Sequence, residues 1–366
     1  GELMIAILLK QLVEKNGSDL HLKVGNKPII RVNGELERLD NEPPLSQEAM
    51  INFVKEMVTN KKRQEELDDE LSTDFSYSVP GLGRFRVNVS IARGSFVIVI
   101  RAIPFEIPSI EELKLPQVLK DISKHQNGII LVTGATGSGK STTVASMLDY
   151  INQNFTKNII SFEEPIEYLH RDKKCIINQK EIPDDVKDYK TALKYVLRQD
   201  PDIIFLGELR DQGTIEAAIK ASETGHLVIS TLHTINASKS ISRILDFFPP
   251  EKSKSLRFQL AENIRAIVSQ RLLKTLEGGK RVVAEVLINT GTMQELISTE
   301  EGMRRIPEIV KKSEQLGMQS FDSETLKLYR AGIIDFDTAY DASTVKTEIE
   351  MARAGITSGT DNLIHG

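Results

Sequence analysis

The spacing of apolar positions changes along the chain, and the changes divide it into segments. MIAILLKQLVEK, beginning at Met4, reads as an amphipathic helix. From Asp19 to about Pro104 the pattern is β-rich, with strand signals in DLHLKV, KPIIRV, ELERL, DFSYSV, RFRVNVSIA and SFVIVIRAI. Asn33-Gly34 joins two of these runs and supplies the positive φ values of a tight hairpin turn, while Pro80-Gly81-Leu82-Gly83 and Arg93-Gly94 separate the later ones. A helix is expected after the capping residue Ser46, with Met50, Phe53, Val54, Met57 and Val58 on one face, ending in the charge run KKRQEELDDE. Residues 1–103 thus form a compact α/β module.

Prolines at 104, 108 and 116 break regular structure and stiffen the chain, which places a linker at 104–116. In residues 117–300 the pattern is different: GIILV, NIISF, DIIFL and LVIST are apolar without alternation and are separated by helical stretches. That is the signature of a parallel sheet buried on both faces. Residues 301–366 read as short helices, among them MRRIPEIVKKSEQLG, SETLKLYRAG, DTAYDA and VKTEIEMARAG, several closed by glycine.

Composition narrows the class. Over 366 residues, 47 basic and 52 acidic side chains give a net charge of −5, and 40% of the residues are hydrophobic, so the chain is neither disordered nor fibrous. The single cysteine, Cys175, excludes an internal disulfide and a zinc site built from several thiolates, and fits a reducing compartment, read as the cytoplasm. The uncharged run from Met4 to Leu9 is far short of the ~20 residues that span a bilayer, so no membrane insertion is expected. Mild acidity, 5% aromatic residues and no tryptophan weigh against a nucleic-acid surface.

The strongest chemical signal is Gly134-Ala135-Thr136-Gly137-Ser138-Gly139-Lys140-Ser141, followed by Thr142, set directly between the strand GIILV and the helix KSTTVASMLDY. This is the phosphate loop G-x-x-x-x-G-K-[ST] in the setting it requires. Gly134, Gly137 and Gly139 let the backbone wrap a phosphate; Thr136, Ser138 and Thr142 complete the nucleotide-binding stretch; and the helix N-terminus adds its positive dipole. Lys140 is expected at the β- and γ-phosphates of ATP, with the Ser141 hydroxyl on Mg²⁺.

Hydrolysis also needs carboxylates at the ends of neighbouring strands. NIISF ends in Glu163-Glu164-Pro165, and DIIFL ends in Gly207-Glu208-Leu209-Arg210-Asp211, which resembles a Walker B strand with Gly207 where many such ATPases carry Asp. Glu208 is then the metal ligand or water-positioning group. His226 and His233 flank LVIST; seven residues apart across one short strand, they fall at opposite ends, so at most one can sense the γ-phosphate directly. Spacing alone does not choose between them.

In this order these segments resemble the secretion-superfamily ATPases, most closely the type IV pilus retraction ATPases of the PilT and PilU group. SDLHLKVGNKPIIRVNGEL is similar to the start of that family's PAS-like N-terminal domain, GATGSGKST to its Walker A, EEPIEYLH to its acidic box with Glu164 where Asp is usual, QDPDIIFLGELRD to its Walker B, and TGHLVISTLHT to its His box. The resemblance implies an α/β chain: a RecA-like P-loop ATPase domain, a smaller PAS-like N-terminal domain and a helical C-terminal tail. It also implies a cytoplasmic homo-hexameric Mg-ATP motor, peripheral at the inner membrane through a pilus platform protein. Glu163 resembles the family's water-activating carboxylate, Glu208 its Walker B glutamate, His226 and His233 its His-box pair, and Arg86 and Arg101 the N-domain arginines that reach the nucleotide. Arg198, Arg210, Arg257 and Arg265 are weaker candidates. The absence of any cysteine after Cys175 departs from the tetracysteine module of assembly and type II secretion ATPases, and KKSEQLGMQSFDSETLKLYRAG looks closer to the PilU branch, implying an accessory motor with a PilT-like partner. Two other readings compete: a nucleotide-binding scaffold of low activity, and a nucleic-acid translocase using Lys61-Lys62-Arg63, Arg304-Arg305 and Lys311-Lys312.

Overall fold

A computed structural model describes residues 4–355, so the end of the C-terminal region expected to be helical lies outside the described residues. The chain divides into two compact units, the first ending at Phe105 and the second beginning at Glu106.

The first unit runs α1 (Met4–Glu14), β1 (Asp19–Lys23), β2 (Ile29–Val32), β3 (Glu35–Arg38), α2 (Gln47–Met57), α3 (Lys61–Glu70), β4 (Ser72–Val79), β5 (Gly83–Ala92) and β6 (Ser95–Ala102). Its strands form one antiparallel sheet in the order β3-β2-β1-β6-β5-β4. Asn33 and Gly34 adopt φ of 50° and 83°, the values that fit the turn to the right-handed twist of β2 and β3. One sheet face, through Leu20, Leu22, Phe85, Val87, Val89, Ile98 and Ile100, packs on Ile5, Leu9 and Leu12 of α1 and Met50, Phe53 and Met57 of α2. The charge run is not the end of the helix capped by Ser46 but a helix of its own. α2 stops at Met57, and the Asn60 side chain accepts from Lys62 N–H to start α3, a stronger local signal than the helical propensity of the run it interrupts.

The second unit contains α4 (Val118–Ile122), β7 (Gly128–Thr133), α5 (Lys140–Asn154), β8 (Asn158–Glu163), β9 (Ile176–Glu181), α6 (Tyr189–Val196), β10 (Ile203–Leu206), α7 (Gln212–Glu223), β11 (Leu227–Leu232), α8 (Ala237–Asp246), α9 (Ser253–Asn263), β12 (Ile264–Lys274) and β13 (Lys280–Ile288). Helices α10 (Gly291–Ile297), α11 (Glu300–Lys312), α12 (Phe321–Arg330), α13 (Phe336–Ala342) and α14 (Lys346–Arg353) follow. The seven-stranded sheet has the order β13-β12-β7-β11-β10-β8-β9, parallel except for the antiparallel β12–β13 pair. Strands β9, β12 and β13 extend it beyond the four runs read from the sequence.

Ile129 and Leu131 of β7 enter one core, with α6 to α11, while Ile130 and Val132 enter the other, with α4 and α5. Both faces of this strand are dry, hence its unbroken apolar sequence. A smaller cluster seats Phe321, Leu328, Ile334, Ala339 and Ile349 on Leu273 and Val283 of the β12–β13 hairpin.

Candidate functional site

Because β7, β8, β10 and β11 are parallel neighbours, the loops leaving their C-terminal ends open on one edge of the sheet, the place where open α/β sheets bind ligands. The phosphate loop leaves β7 there, Glu163 ends β8, Glu208 follows β10 and His233 follows β11.

The loop closes on itself. A Cβ at Gly134 would lie 2.3 Å from Ser138 Oγ and 2.7 Å from the Gln270 carbonyl, so only glycine fits. Gly139, with φ of 88°, starts α5; it has no side-chain cap and the first helical turn carries no acid, which leaves backbone N–H groups and the positive helix end for an anion. Lys140 Nζ donates to the Gly134 carbonyl at 2.9 Å and lies 2.6 Å from His233 Nδ1. An ammonium group only donates, so Nδ1 accepts, and the ring proton sits on Nε2, 3.4 Å from Glu208 Oε1. Burial pushes the Lys140 ammonium below the ordinary lysine range, while Glu208 and Glu167 oppose that effect.

Arg210, a minor candidate in the sequence, joins the two acidic segments. Its guanidinium reaches Glu164 Oε2 at 3.1 Å and Glu208 Oε2 at 3.4 Å, and lies 5.0 Å over the Tyr189 ring. At Gly207 a Cβ would come within 2.7 Å of Tyr189 Oη and 3.3 Å of the Phe162 carbonyl, so a larger residue there would displace the Tyr189 ring. Glu163 accepts hydrogen bonds from Ser161 Oγ (2.7 Å) and Gln179 Nε2 (3.1 Å). Burial nevertheless raises its pKa to about 7; those two donors oppose the rise, and the nearby Glu167 and Glu181 carboxylates add to it. A carboxyl group poised near neutrality can accept a proton from water.

The cleft is lined by Lys140, Ser141, Glu163, Glu208 and His233 together with Tyr168 and Arg210, among others. Thr142 Oγ1 bonds to Tyr168 Oη at 2.8 Å, joining the start of α5 to the acidic segment. Gln270 of β12, 2% exposed, donates from Nε2 to the Ser138 carbonyl at 2.9 Å and accepts from Thr143 Oγ1 at 2.8 Å, clamping the phosphate loop from behind. Sequence reasoning passed over Gln270, Gln179 and Tyr168; the one available signal was a glutamine inside the apolar run IRAIVSQRLL.

Among the described residues no group of three or more His, Cys, Asp or Glu could hold a metal ion. Ser141 and Glu208 supply two oxygen donors to the cleft, which suits Mg²⁺, an ion that takes its remaining ligands from substrate phosphates and water.

Of the remaining sequence candidates, His226 stands at the other end of its strand and two arginines belong to the first unit. The His226 carbonyl accepts from Gly128 N–H at the start of β7, so the ring sits about 20 Å along the strand from the phosphate loop. Its Nδ1 lies 3.0 Å from the Ala221 carbonyl and 3.2 Å from Thr224 Oγ1, closing the end of α7. Arg86 and Arg101 belong to the first unit, where they are register partners on β5 and β6, on the sheet face away from that unit's core. Arg101 Nε pairs with Asp19 Oδ1 at 3.1 Å.

A parallel α/β sheet with a phosphate loop, two strand-end carboxylates and a histidine facing the loop's lysine defines a P-loop nucleotide hydrolase. The chain belongs to the Type II/IV secretion system protein family, whose pattern matches residues 2–278, and within it to the PilT/PilU-like ATPases. Type IV pilus retractation ATPase PilT of Pseudomonas aeruginosa is 40% identical over 341 residues, which cover 93% of this chain and 98% of PilT. Type IV pilus ATPase PilU of the same organism is 38% identical over 358 residues, 97% of this chain and 93% of PilU. The crystal structure of the pilus retraction motor PilT with bound ADP matches with a TM-score of 0.82 and 39% identity, over 95% of this chain and 99% of that one.

Proposed function

We propose that this chain is a homo-hexameric, Mg-ATP-hydrolysing motor of a type IV pilus machine that drives or assists pilus retraction. It works in the cytoplasm, peripheral to the inner membrane through a platform protein. The observation that carries the reading is the convergence of Lys140, Glu208 and His233, in contact, with Glu163 in the same cleft. Lys140 exchanges its contacts with Gly134 and His233 for the β- and γ-phosphates, which makes His233 the histidine that senses the γ-phosphate. Glu163 accepts the proton of the attacking water, and Ser141 and Glu208 hold Mg²⁺, which neutralises charge on the phosphate oxygens. The first unit is the PAS-like domain of the family. Its Arg86 and Arg101, register partners on one sheet face with Arg101 held by Asp19, present two guanidinium groups side by side, which supports a role at the charge that develops on the nucleotide.

The segment 311–332 supports a PilU-like accessory role with a PilT-like partner. A nucleic-acid translocase is disfavoured, because Arg63 pairs with Glu66, Lys311 with Glu348 and Lys312 with Glu308. The test is steady-state Mg-ATP hydrolysis across concentrations that span assembly, with Lys140→Ala as control. Activity rising with assembly and lost in the variant supports the motor. Activity equal to that of Lys140→Ala at every concentration, with or without a PilT-like partner, refutes it in favour of a scaffold.

A further inference from the structure

Ser161 on β8 and Gln179 on β9 are register partners in a parallel pair, and Glu163 lies two residues beyond Ser161. Residues two apart on a strand share a face, so all three side chains project to the same side of the sheet. Ser161 Oγ and Gln179 Nε2 both donate to Oε2 of Glu163, at 2.7 and 3.1 Å. Among the described residues, the hydrogen bonds to this carboxyl group both fall on that one oxygen.

The Gln179 amide cannot turn over. Its Nε2 also donates to the Tyr168 carbonyl at 2.7 Å, and its Oε1 accepts from His170 N–H at 2.8 Å. A flipped amide would set an oxygen against both the Tyr168 carbonyl and the carboxylate, and an NH₂ group against the His170 N–H. Nor is the segment that holds it loose. Asn152, fully buried on α5, accepts from Lys173 N–H and Cys175 N–H and donates to the Arg171 carbonyl, stapling the stretch between β8 and β9 to the phosphate-loop helix. The donor presented to Oε2 is therefore fixed in kind and in place.

An oxygen that already accepts two hydrogen bonds has its lone pairs engaged, and the basic lone pairs are those of its partner. Resting on the assignment of Glu163 as the water-activating base, we propose that Gln179 is a positioning residue for hydrolysis: with Ser161 it holds Oε2 and leaves Oε1 as the atom that takes the proton from the attacking water. In that step a water O–H bond breaks and its proton passes to Oε1. The water oxygen bonds to the γ-phosphorus, and the bond from phosphorus to the β–γ bridging oxygen breaks, its electron pair leaving with ADP. Gln179 touches neither water nor nucleotide. It acts by keeping the carboxylate from rotating its engaged oxygen towards the water, a displacement of the size that costs rate steeply.

The test is a double-mutant cycle read by single-turnover Mg-ATP hydrolysis, with ADP affinity measured in parallel for the wild type, Glu163→Gln, Gln179→Leu and the double variant. Gln179→Leu is expected to slow the wild-type background by about tenfold or more, to leave ADP affinity within about twofold, and to cause no further slowing in the Glu163→Gln background. Equal slowing in both backgrounds would mean that Gln179 only supports the segment, and no slowing would mean that it does nothing for the reaction; either overturns the inference. Wild-type turnover by Glu163→Gln would instead overturn the assignment of the base. Gln179→Met keeps the length of the side chain without its donor or a new charge, and carries the same expectation should Gln179→Leu not fold.

Discussion

Replacing Glu163 by glutamine should change how stability depends on pH, in a direction that follows from the burial of the site. The side chain is isosteric, and Ser161 Oγ and Gln179 Nε2 can donate to its amide oxygen as they do to Oε2, so packing is preserved. The change is in charge. Burial raises the Glu163 pKa from 4.5 to about 7, which means that the folded state holds this proton more tightly than the unfolded state. The contribution to stability is complete below pH 4.5 and is lost as pH rises through 7. At about 1.36 kcal/mol per pH unit the whole span amounts to about 3 kcal/mol, of which about 2 kcal/mol falls between about pH 5.5 and 8.0. Urea unfolding without nucleotide, at those two pH values and at fixed salt and protein concentration, measures it. Wild type should lose about 2 kcal/mol more than Glu163→Gln on going from the lower to the higher pH. Equal losses, or a larger loss in the variant, would show that the carboxyl group is not held in an environment that disfavours its charge.

Gln270→Ala strips partners from the buried Ser138 carbonyl and Thr143 hydroxyl, and should lower the unfolding free energy by about 2–4 kcal/mol and weaken ADP binding by about tenfold; an unchanged urea midpoint would refute the clamp. His226→Ala should cost about 1 kcal/mol through the end of α7 while leaving ADP affinity of the isolated chain unaltered, whereas His233→Ala, which frees Lys140, should change that affinity; calorimetric titration separates them. Arg86→Ala and Arg101→Ala should each lower turnover without abolishing nucleotide binding, and unchanged turnover in both would remove the first unit's arginines from the reaction.

The parts of this protein written locally could be read without coordinates. A phosphate loop needs contiguous backbone N–H groups and a helix start, so GATGSGKS is legible as a string. A strand dry on both faces must be apolar throughout, which is why GIILV and LVIST announced β7 and β11. The break between α2 and α3 was missed because the cue, Asn60, sits inside a run that otherwise favours a helix. The residues that hold Glu163 and the phosphate loop were missed for another reason: Gln179 meets Glu163 from the next strand, and Gln270, though a polar residue within an apolar run, meets the phosphate loop from more than a hundred positions away, so no local pattern shows either partner.

The two histidines mark the boundary between these kinds of information. The sequence by itself determined that a nucleotide site exists, that acids end two of the apolar strands, and that His226 and His233 stand at opposite ends of one strand, because each is a matter of spacing along the chain. Which histidine faces Lys140 depended on the direction of β11 against β7, and which oxygen of Glu163 is engaged depended on the register of β8 against β9. Direction and register arise only when strands pair, through hydrogen bonds and shared cores between segments that are distant in the chain, and so only the tertiary structure could decide them.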